Sequence, residues 1–237
     1  MSVFRNRPNP IADSSGSGGP SRSGTYSDAY VIPMGSPLQN LADEGSYFVA
    51  QNATVATGLA GHAAPVVADT DTKALIHLYN GGQKNVILDY VFLEVTAAGT
   101  AGTIHYTVVY VDNLKSTARS SGGTAITPTN VRSDFPIVTG TTVYFGAVVT
   151  LTGMTKVGHQ IVREVIPVVQ DTVLMKFGGV NAGPRAGLTT AGTATAHVVQ
   201  HFNPVVIAPG GNLNIAQIRP SQTAAASYQI SMGWIER

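Results

Sequence analysis

The chain contains no cysteine among its 237 residues, and only 11% of its residues are charged. The missing cysteines exclude a disulfide framework and a thiolate metal site, and they suit synthesis in a reducing cytoplasm. No window approaches the ~20 consecutive apolar residues that a membrane-spanning helix needs, and the first residues lack the apolar segment of a signal peptide. We therefore expect a soluble protein with no membrane partner, which is made in the cytoplasm and is not exported by the usual route.

The low charge sets this chain apart from ordinary soluble domains, in which about 25% of residues are charged. Its surface must consist of Thr, Ser, Ala and Gly or be covered by neighbours, so we predict permanent self-association; the alternative is a sparsely charged, Gly-rich β domain. The net charge of +1 is too small to attract a nucleic acid or a membrane through an overall electric field. No specific nucleic acid is expected as a partner.

Residues 1–30 form a low-complexity segment of Pro, Ser and Gly with almost nothing to bury. We expect an extended N-terminal arm that becomes ordered when a partner holds it; a solvated tail is the alternative. Three spaced arginines are too few to predict binding of packaged nucleic acid. The candidate assembly residues of this arm are Arg5, Arg7, Pro8, Pro10 and Arg22.

From residue 31 onward the sequence pattern is that of β-strands. Apolar residues recur with a period of two between Gly, Pro and Asn, which predicts roughly nine or ten strands and no long helix. The clearest alternation puts Tyr228, Ile230, Met232 and Trp234 on one face, so we expect Trp234 in the core. We predict an all-β fold: an antiparallel β-sandwich of the jelly-roll type that forms one domain over residues 31–237.

A second alternation covers residues 103–112. It puts Tyr106, Val108 and Tyr110 on one face of a strand and Thr107 on the other. We expect one of these faces to lie in the core and the other to be half wet.

Two long polar connections, residues 114–134 and 178–192, interrupt the strands. Connections longer than about 12 to 15 residues without structure of their own are usually functional or disordered. We interpret both as loops that contact a neighbouring subunit, with mobile surface loops as the alternative. Their candidate contact residues are Arg119, Gly122, Gly123, Pro128, Asn130, Arg132, Gly183, Pro184 and Arg185.

The thirteen acidic residues and six histidines form no sequence motif for catalysis or metal binding. His197 and His201 are four residues apart, and on a strand they would lie about 13 Å apart, too far to share a metal. The positions of Asp89 and Glu94 differ by an odd number, which predicts opposite faces of one strand and excludes a glycosidase pair formed by these two carboxylates. Carboxylate partners from elsewhere in the chain stay open. His77 is isolated and is expected to be half-buried or on the surface. We predict no enzymatic activity and no cofactor.

Exposed aromatic side chains are the usual sugar platforms of β-sandwiches. The candidates here are Tyr26, Tyr30, Tyr47 and Tyr144. The alternative, which we prefer, is that each ring packs in a sheet with its hydroxyl at the rim.

Two short segments suggest a family. Residues 120–130 read SSGGTAITPTN, and residues 204–215 read PVVIAPGGNLNI. Together with the arm and the all-β body, they resemble the jelly-roll virion proteins of tailed bacteriophages, which decorate capsids or form fibres and tail parts.

The resemblance implies a non-enzymatic structural protein of the virion, associated with the capsid as a decoration, cement or minor capsid protein. It also implies a homotrimer or a higher symmetric assembly, and contact with the major capsid protein or another virion protein. A tail or fibre component that binds a receptor or carbohydrate is the alternative, and a capsule-degrading enzyme comes third.

Overall fold

The computed structural model describes residues 37–52, 54, 57–61, 74–99, 105–112, 120–134, 139–149, 153–163, 168–178, 185–186, 195, 197–218 and 224–237. The described part of the chain contains one helix, α1 (Pro37–Asp43), and otherwise strands. The strands are β1 (Tyr47–Gln51), β2 (Leu59–Ala60), β3 (Ile76–Asn80), β4 (Val86–Ala97), β5 (His105–Asp112), β6 (Ser120–Ser121), β7 (Thr124–Ile126), β8 (Pro128–Asn130), β9 (Thr141–Phe145), β10 (Val148–Val149), β11 (Thr155–Arg163), β12 (Thr172–Phe177), β13 (Arg185–Ala186), β14 (His197–Phe202), β15 (Val206–Ile207), β16 (Asn212–Ile218) and β17 (Ser227–Glu236).

All of these strands belong to one compact unit, Leu41–Arg237. The predicted arm, residues 1–30, lies outside the described residues, and so do the predicted domain boundary and Arg5, Arg7, Pro8, Pro10 and Arg22. The arm and the domain boundary therefore stay predictions.

Two large sheets form the body. Sheet one has the strand order β13-β14-β12-β4-β17-β1-β8, with β15 also paired to β4 and β2 to β17. Sheet two has the order β11-β5-β16-β3-β9-β7, and β6 and β10 form a separate two-stranded sheet. The two large sheets share one cluster of buried apolar side chains, so the predicted all-β sandwich is confirmed. The jelly-roll connectivity stays a prediction.

The centre of this core is the C-terminal strand β17, which pairs with both β1 and β4. Trp234 is 0% exposed, and its ring stacks on Phe48 with 6.2 Å between centroids. Its indole Nε1 donates a hydrogen bond to Oε1 of Glu236 at 3.1 Å, so the polar atom of the ring has a partner. The predicted core position of Trp234 is confirmed.

One pair of strands departs from the predicted antiparallel pattern. Strands β12 and β14 run parallel, whereas the other described pairs are antiparallel. A parallel pair needs a connection long enough to return the chain to the starting end of the first strand. Residues 178–196, which separate β12 from β14, provide that length.

The alternation in β5 has a different outcome from the one expected. Val109 lies in the core between the sheets, whereas Val108 and Tyr110 belong to a second buried cluster on the opposite side of sheet two. Thr107 is also fully buried. Both faces of β5 are therefore buried in its described part. The expectation that one face is partly exposed to solvent was wrong.

The polar connection of residues 114–134 is not an open loop in its described part. It forms β6, then β7 at the edge of sheet two and β8 at the edge of sheet one. Ile126 of β7 is buried in the core, which anchors the segment between the two sheets. The prediction that residues 114–134 form a long loop without structure of its own was wrong over residues 120–130, because three short strands form there.

Candidate interaction surface

The sandwich has two outer faces, and they differ. Face one is the outer side of sheet one, and its described side chains are half-buried or exposed, apart from a buried glycine at its centre. Face two is the outer side of sheet two, and much of it is buried. Face one includes Tyr47, Val49, Asp89, Tyr90, Phe92, Glu94, Leu174, Lys176, His197, Val199, His201, Ser231 and Gly233.

A β-bulge in β4 shapes face one. Tyr90 pairs with Gly233 and Leu88 pairs with Trp234, which leaves Asp89 as an additional residue between the two pairs. Such a bulge shifts the alternation by one residue and aims a side chain in a new direction. Asp89 therefore lies on the same outer face as Tyr90.

The bulge also corrects the prediction for Asp89 and Glu94. Beyond the bulge Phe92 and Glu94 remain half-buried while Val91 and Leu93 face the core, so Asp89 and Glu94 share face one. The predicted opposite orientation was wrong. A strand rises ~3.3 Å per residue, so the two carboxylates lie farther apart than the ~5 to 9.5 Å that separates the carboxylates of a glycosidase pair. The two side chains therefore still cannot form such a pair.

Around the bulge the side chains form a connected polar group, the bulge cluster, consisting of Tyr47, Asp89, Tyr90, Lys176 and Ser231. The Tyr47 hydroxyl donates a hydrogen bond to Oδ2 of Asp89 at 2.7 Å. Lys176 Nζ lies 3.9 Å from Oδ1 of Asp89 and 5.2 Å from the centroid of the Tyr90 ring. The hydroxyls of Tyr90 and Ser231 are 3.1 Å apart.

Burial, reinforced by the neighbouring Asp89 carboxylate, raises the pKa of the Tyr47 hydroxyl far above its ordinary value. Tyr47 therefore keeps its proton and acts as a permanent hydrogen-bond donor. The bulge cluster holds a carboxylate, an ammonium group and two phenols in place, a set that is suited to binding a polar partner group.

Gly233 allows the bulge cluster to close. A Cβ atom at this position would lie 2.5 Å from the Tyr47 hydroxyl and 2.5 Å from Cε1 of Tyr90. The two tyrosine rings thus occupy the space above the glycine. Any side chain at residue 233 would displace them.

An apolar row lies beside the bulge cluster. Leu174 pairs with Phe92 on one side and with Val199 on the other, so the three side chains are neighbours on face one. Val199 is 42% exposed. Aromatic and aliphatic side chains next to a few fixed polar groups are typical of protein contact surfaces.

The predicted contact residues of the 120–134 segment have structural roles. Gly122 and Gly123 form the exposed turn between β6 and β7, and a Cβ at Gly123 would lie 2.8 Å from the carbonyl oxygen of Phe145. Pro128 and Asn130 bound the edge strand β8. These positions stay candidates for contact with a neighbour.

Two of these residues bind their own chain. The Asn130 side-chain amide donates to the carbonyl oxygen of Gly45 at 2.8 Å. Arg132 donates to the carbonyl oxygen of Asp43, and its Nε lies 2.8 Å from Oδ1 of Asp134. Both side chains hold the edge strand β8 against the turn that follows α1.

Of the second predicted connection, the structure describes Gly178, Arg185 and Ala186. Arg185 begins β13 and pairs with Val199. Arg119, Gly183 and Pro184 lie outside the described residues. The structure therefore brings the backbone of Arg185 to the edge of face one.

His197 and His201 lie on a strand, as predicted. They lie at the two ends of β14 and point outward. His197 Nδ1 is 2.8 Å from the Thr172 hydroxyl. Over the described residues, no three His, Cys, Asp or Glu side chains are arranged to hold a metal ion.

Two of the four candidate sugar-binding tyrosines can be placed. Tyr47 is bound to Asp89, and Tyr144 packs against His77 with 6.4 Å between ring centroids. Both rings are half-buried and make side-chain contacts, as the preferred alternative predicts. Tyr26 and Tyr30 lie outside the described residues.

Face two contains a buried polar group that the sequence did not reveal. His77 is 0% exposed, and its Nδ1 lies 2.6 Å from Oδ1 of Asn214. Asn214 in turn donates through Nδ2 to Sδ of Met154 at 2.7 Å. The expectation of a half-buried or surface His77 was wrong, because residues that follow β9 fold back over this face.

Two cavities of about 280 and 270 Å³ open in the described part of the body. The first lies beside β7 and β8 and is lined by hydroxyl, amide and apolar side chains without a charged residue. The second has Asp112 as its one ionisable lining residue. Neither lining contains the acid and base pair that general acid–base catalysis uses.

The helix in the described part of the chain is too short to cross a membrane. The chain matches no protein-family model, no curated protein and no solved structure. The resemblance to bacteriophage virion proteins therefore rests on the two quoted segments, the arm and the all-β body.

Proposed function

We propose that this chain is a non-enzymatic structural protein of a bacteriophage virion, associated with the capsid as a decoration, cement or minor capsid protein. Copies of the body associate with one another through face one, and the N-terminal arm attaches the body to the underlying particle. The proposal rests on the sequence resemblance and on the chemistry of face one.

The observation that carries the self-association is the combination of the apolar row with charges of both signs on face one. Phe92, Leu174 and Val199 supply apolar area, and Asp89 lies beside Lys176. In a two-fold contact the same patch of two copies meets itself, whereas the contacts of a trimer are head-to-tail between different parts of the surface. A face with charges of both signs offers each kind of contact a complementary charge on the neighbouring copy. The low overall charge of 11% fits a surface that is covered in an assembly.

Self-association is tested by the molar mass of the full-length chain in solution. We expect a homotrimer or larger symmetric oligomer by sedimentation velocity, and dissociation into folded monomers for Leu174→Lys, which puts a charge into the apolar row. Thr142→Lys is the matched control, because Thr142 is an exposed strand residue on face two. A full-length chain that remains monomeric at every concentration, or equal dissociation of both variants, would contradict the proposal.

The arm is tested by deletion of residues 1–30. We expect the remaining chain to be folded and soluble by circular dichroism and to be absent from purified particles assembled in its presence. Attachment through an arm raises the effective concentration of the body at its binding site, and the deletion removes that contribution. Incorporation equal to that of the full-length chain would argue against tethering.

The competing role, a receptor-binding or carbohydrate-binding component of a tail or fibre, is separated from the proposed one by a glycan array. A capsid protein of the proposed kind binds particles and leaves the array unlabelled. Saturable binding of the full-length chain to a defined glycan would favour the competing role.

A further inference from the structure

Face two has a cover made by the chain itself, which we define as β6, Ala147, β10 and Met154. After β9 the chain turns at Gly146, and Ala147 and Val149 pack with Val108, Tyr110 and Ala216 on the outer side of sheet two. Met154 packs against the same cluster. Strand β10 pairs with β6 alone among the described strands, and its Val149 contacts face two through the side chain. Backbone hydrogen bonds hold the start of the cover: the N–H of Ala74 donates to the carbonyl oxygen of Ala147, and the N–H of Gly146 donates to that of Leu75.

A row of three side chains links the cover to sheet two. Met154 accepts a hydrogen bond from Nδ2 of Asn214, and Oδ1 of Asn214 lies 2.6 Å from Nδ1 of His77. Because the amide oxygen only accepts hydrogen bonds, Nδ1 of His77 must carry the proton. The other ring nitrogen, Nε2, is then an acceptor, and it is buried without a partner in the described structure.

The surroundings of His77 do not accommodate a positive charge. Tyr144 on β9, Asn214 on β16 and Tyr110 on β5 lie in the same row across sheet two, and none of them is a carboxylate. The described residues of the cover are uncharged. Lys156 on β11, opposite Tyr110, is the charged residue of this row, and it is positive.

The neighbouring rows hold the other titratable groups of face two. Asp112 and Tyr79 each pair with Asn212, one row away from His77. His159 pairs with Val108, one row away on the other side. No carboxylate among these described groups shares a row with His77.

We propose that His77 is a proton-sensitive latch for face two: a proton taken up at Nε2 releases the cover and exposes the second buried cluster. The proton would put a charged N–H into a buried site that offers it no acceptor, so the imidazolium must reach water. Reaching water requires the cover to move, because Met154, Asn214 and His77 form one connected row. The inference concerns the folded chain itself and does not depend on the proposed virion role.

The direction of the pH dependence follows from burial. Burial lowers the pKa of the His77 imidazole below its ordinary value, and the hydrogen bond to Asn214 offsets part of that shift. The open state, in which the ring is hydrated, has the ordinary value of about 6.5. The open state therefore binds a proton more readily than the closed state as the pH falls through about 6.5, so opening becomes more favourable in that window.

Hydrogen exchange of the Val148 and Val149 amides in the full-length chain tests the latch. After correction for intrinsic exchange rates, we expect their protection to fall between pH 7.5 and pH 5.5 by up to about tenfold, the limit that one proton with an open-state pKa near 6.5 sets. The protection of Ile215 in the main core should change much less. His159→Gln should behave as the unmodified chain does, and His77→Gln should show no such fall.

An equal fall in His77→Gln, or no fall in the unmodified chain, would overturn the proposal. If His77→Gln does not fold, nitrogen-15 NMR of the histidine rings in the unmodified chain takes its place. We then expect a neutral Nδ1–H tautomer for His77 and protonation in step with loss of Val149 protection. Protonation of His77 without any loss of protection would equally overturn the latch.

Discussion

The two outer faces of the sandwich are built from strands of the same kind, but the chain itself covers one face and leaves the other partly exposed. Face two is covered by the chain itself and has a second buried cluster with Tyr110 and Val108 at 2 and 3% exposure. Face one keeps Tyr90, Phe92 and Leu174 half-buried and Val199 exposed. Apolar side chains in the middle of a sheet gain stability when they are covered. The difference therefore supports the proposal that face one, rather than face two, contacts another copy.

The polar groups of the two faces differ in the same way. On face two, His77 and Asn214 are fully buried and depend on each other. On face one, the side chain of Lys176 is 42% exposed and that of Asp89 is 18% exposed, so water shares their contacts. Removal of one partner should therefore lower the free energy of unfolding more on face two than on face one.

The largest contrast should come from a matched pair of tyrosines. Tyr110→Ala on face two removes a buried ring and should lower the free energy of unfolding by about 3 to 5 kcal/mol, the usual loss for a buried aromatic residue. Tyr90→Ala on face one should cost about 1 kcal/mol in the monomer, because its ring is half-buried. Urea denaturation of both variants measures the difference. Equal losses would remove the distinction between the faces.

The next effect concerns the buried amide. Asn214→Ala leaves the Nδ1–H of His77 buried without an acceptor and should cost about 2 kcal/mol. The double variant His77→Leu with Asn214→Leu removes both polar groups, so it should be less destabilised than the sum of its single variants by about 1 kcal/mol. Additive losses in this double-mutant cycle would show that the two side chains act independently.

A smaller effect is expected at the glycine beneath the bulge cluster. Gly233→Ala places a methyl group against the ends of the Tyr47 and Tyr90 rings, which can rotate away. We expect a loss of about 1 kcal/mol in urea denaturation, as for a modest overpacking, together with weakened self-association. Ser231→Ala, which leaves this space unchanged, is the control and should affect association less. Unchanged association in Gly233→Ala would argue that the tyrosine positions do not matter for the contact.

The smallest effect is expected for the exposed ion pair. Lys176→Ala should cost between about 0.2 and 1 kcal/mol in the monomer, because solvent screens its interaction with Asp89. The loss should shrink further in 0.5 M salt, where the Debye length is only a few ångströms. A loss above 2 kcal/mol, insensitive to salt, would mean that this corner of face one is covered in the monomer.

Period-two alternation was enough to predict the sandwich and the core position of Trp234, because side-chain direction in a regular strand depends only on residue parity. The same rule failed for Asp89, where a bulge opposite Gly233 shifts parity by one residue. No local sequence signal marks that bulge, since it arises between β4 and β17, whose residues are more than a hundred positions apart.

The cover of face two also could not be predicted from the sequence. His77 and Tyr110 occupy alternating positions that are compatible with a wet surface, and they are buried by residues that return after the turn at Gly146. The Thr-rich segment of residues 120–130 was misread for a similar reason. Its strands are two or three residues long and are held by tertiary pairing with β1, β9 and β10.

Hydroxyl-radical footprinting of the full-length chain across a dilution series tests most directly the claim that face one is reserved for another copy. Side chains are oxidised according to their exposure to solvent. The account predicts that oxidation of Phe92 and Leu174 rises on dilution as the assembly dissociates, while oxidation of Tyr110 stays low at every concentration because the chain's own cover protects it. Concentration-independent oxidation of Phe92 and Leu174, in a chain that sediments as a monomer throughout, would contradict the account.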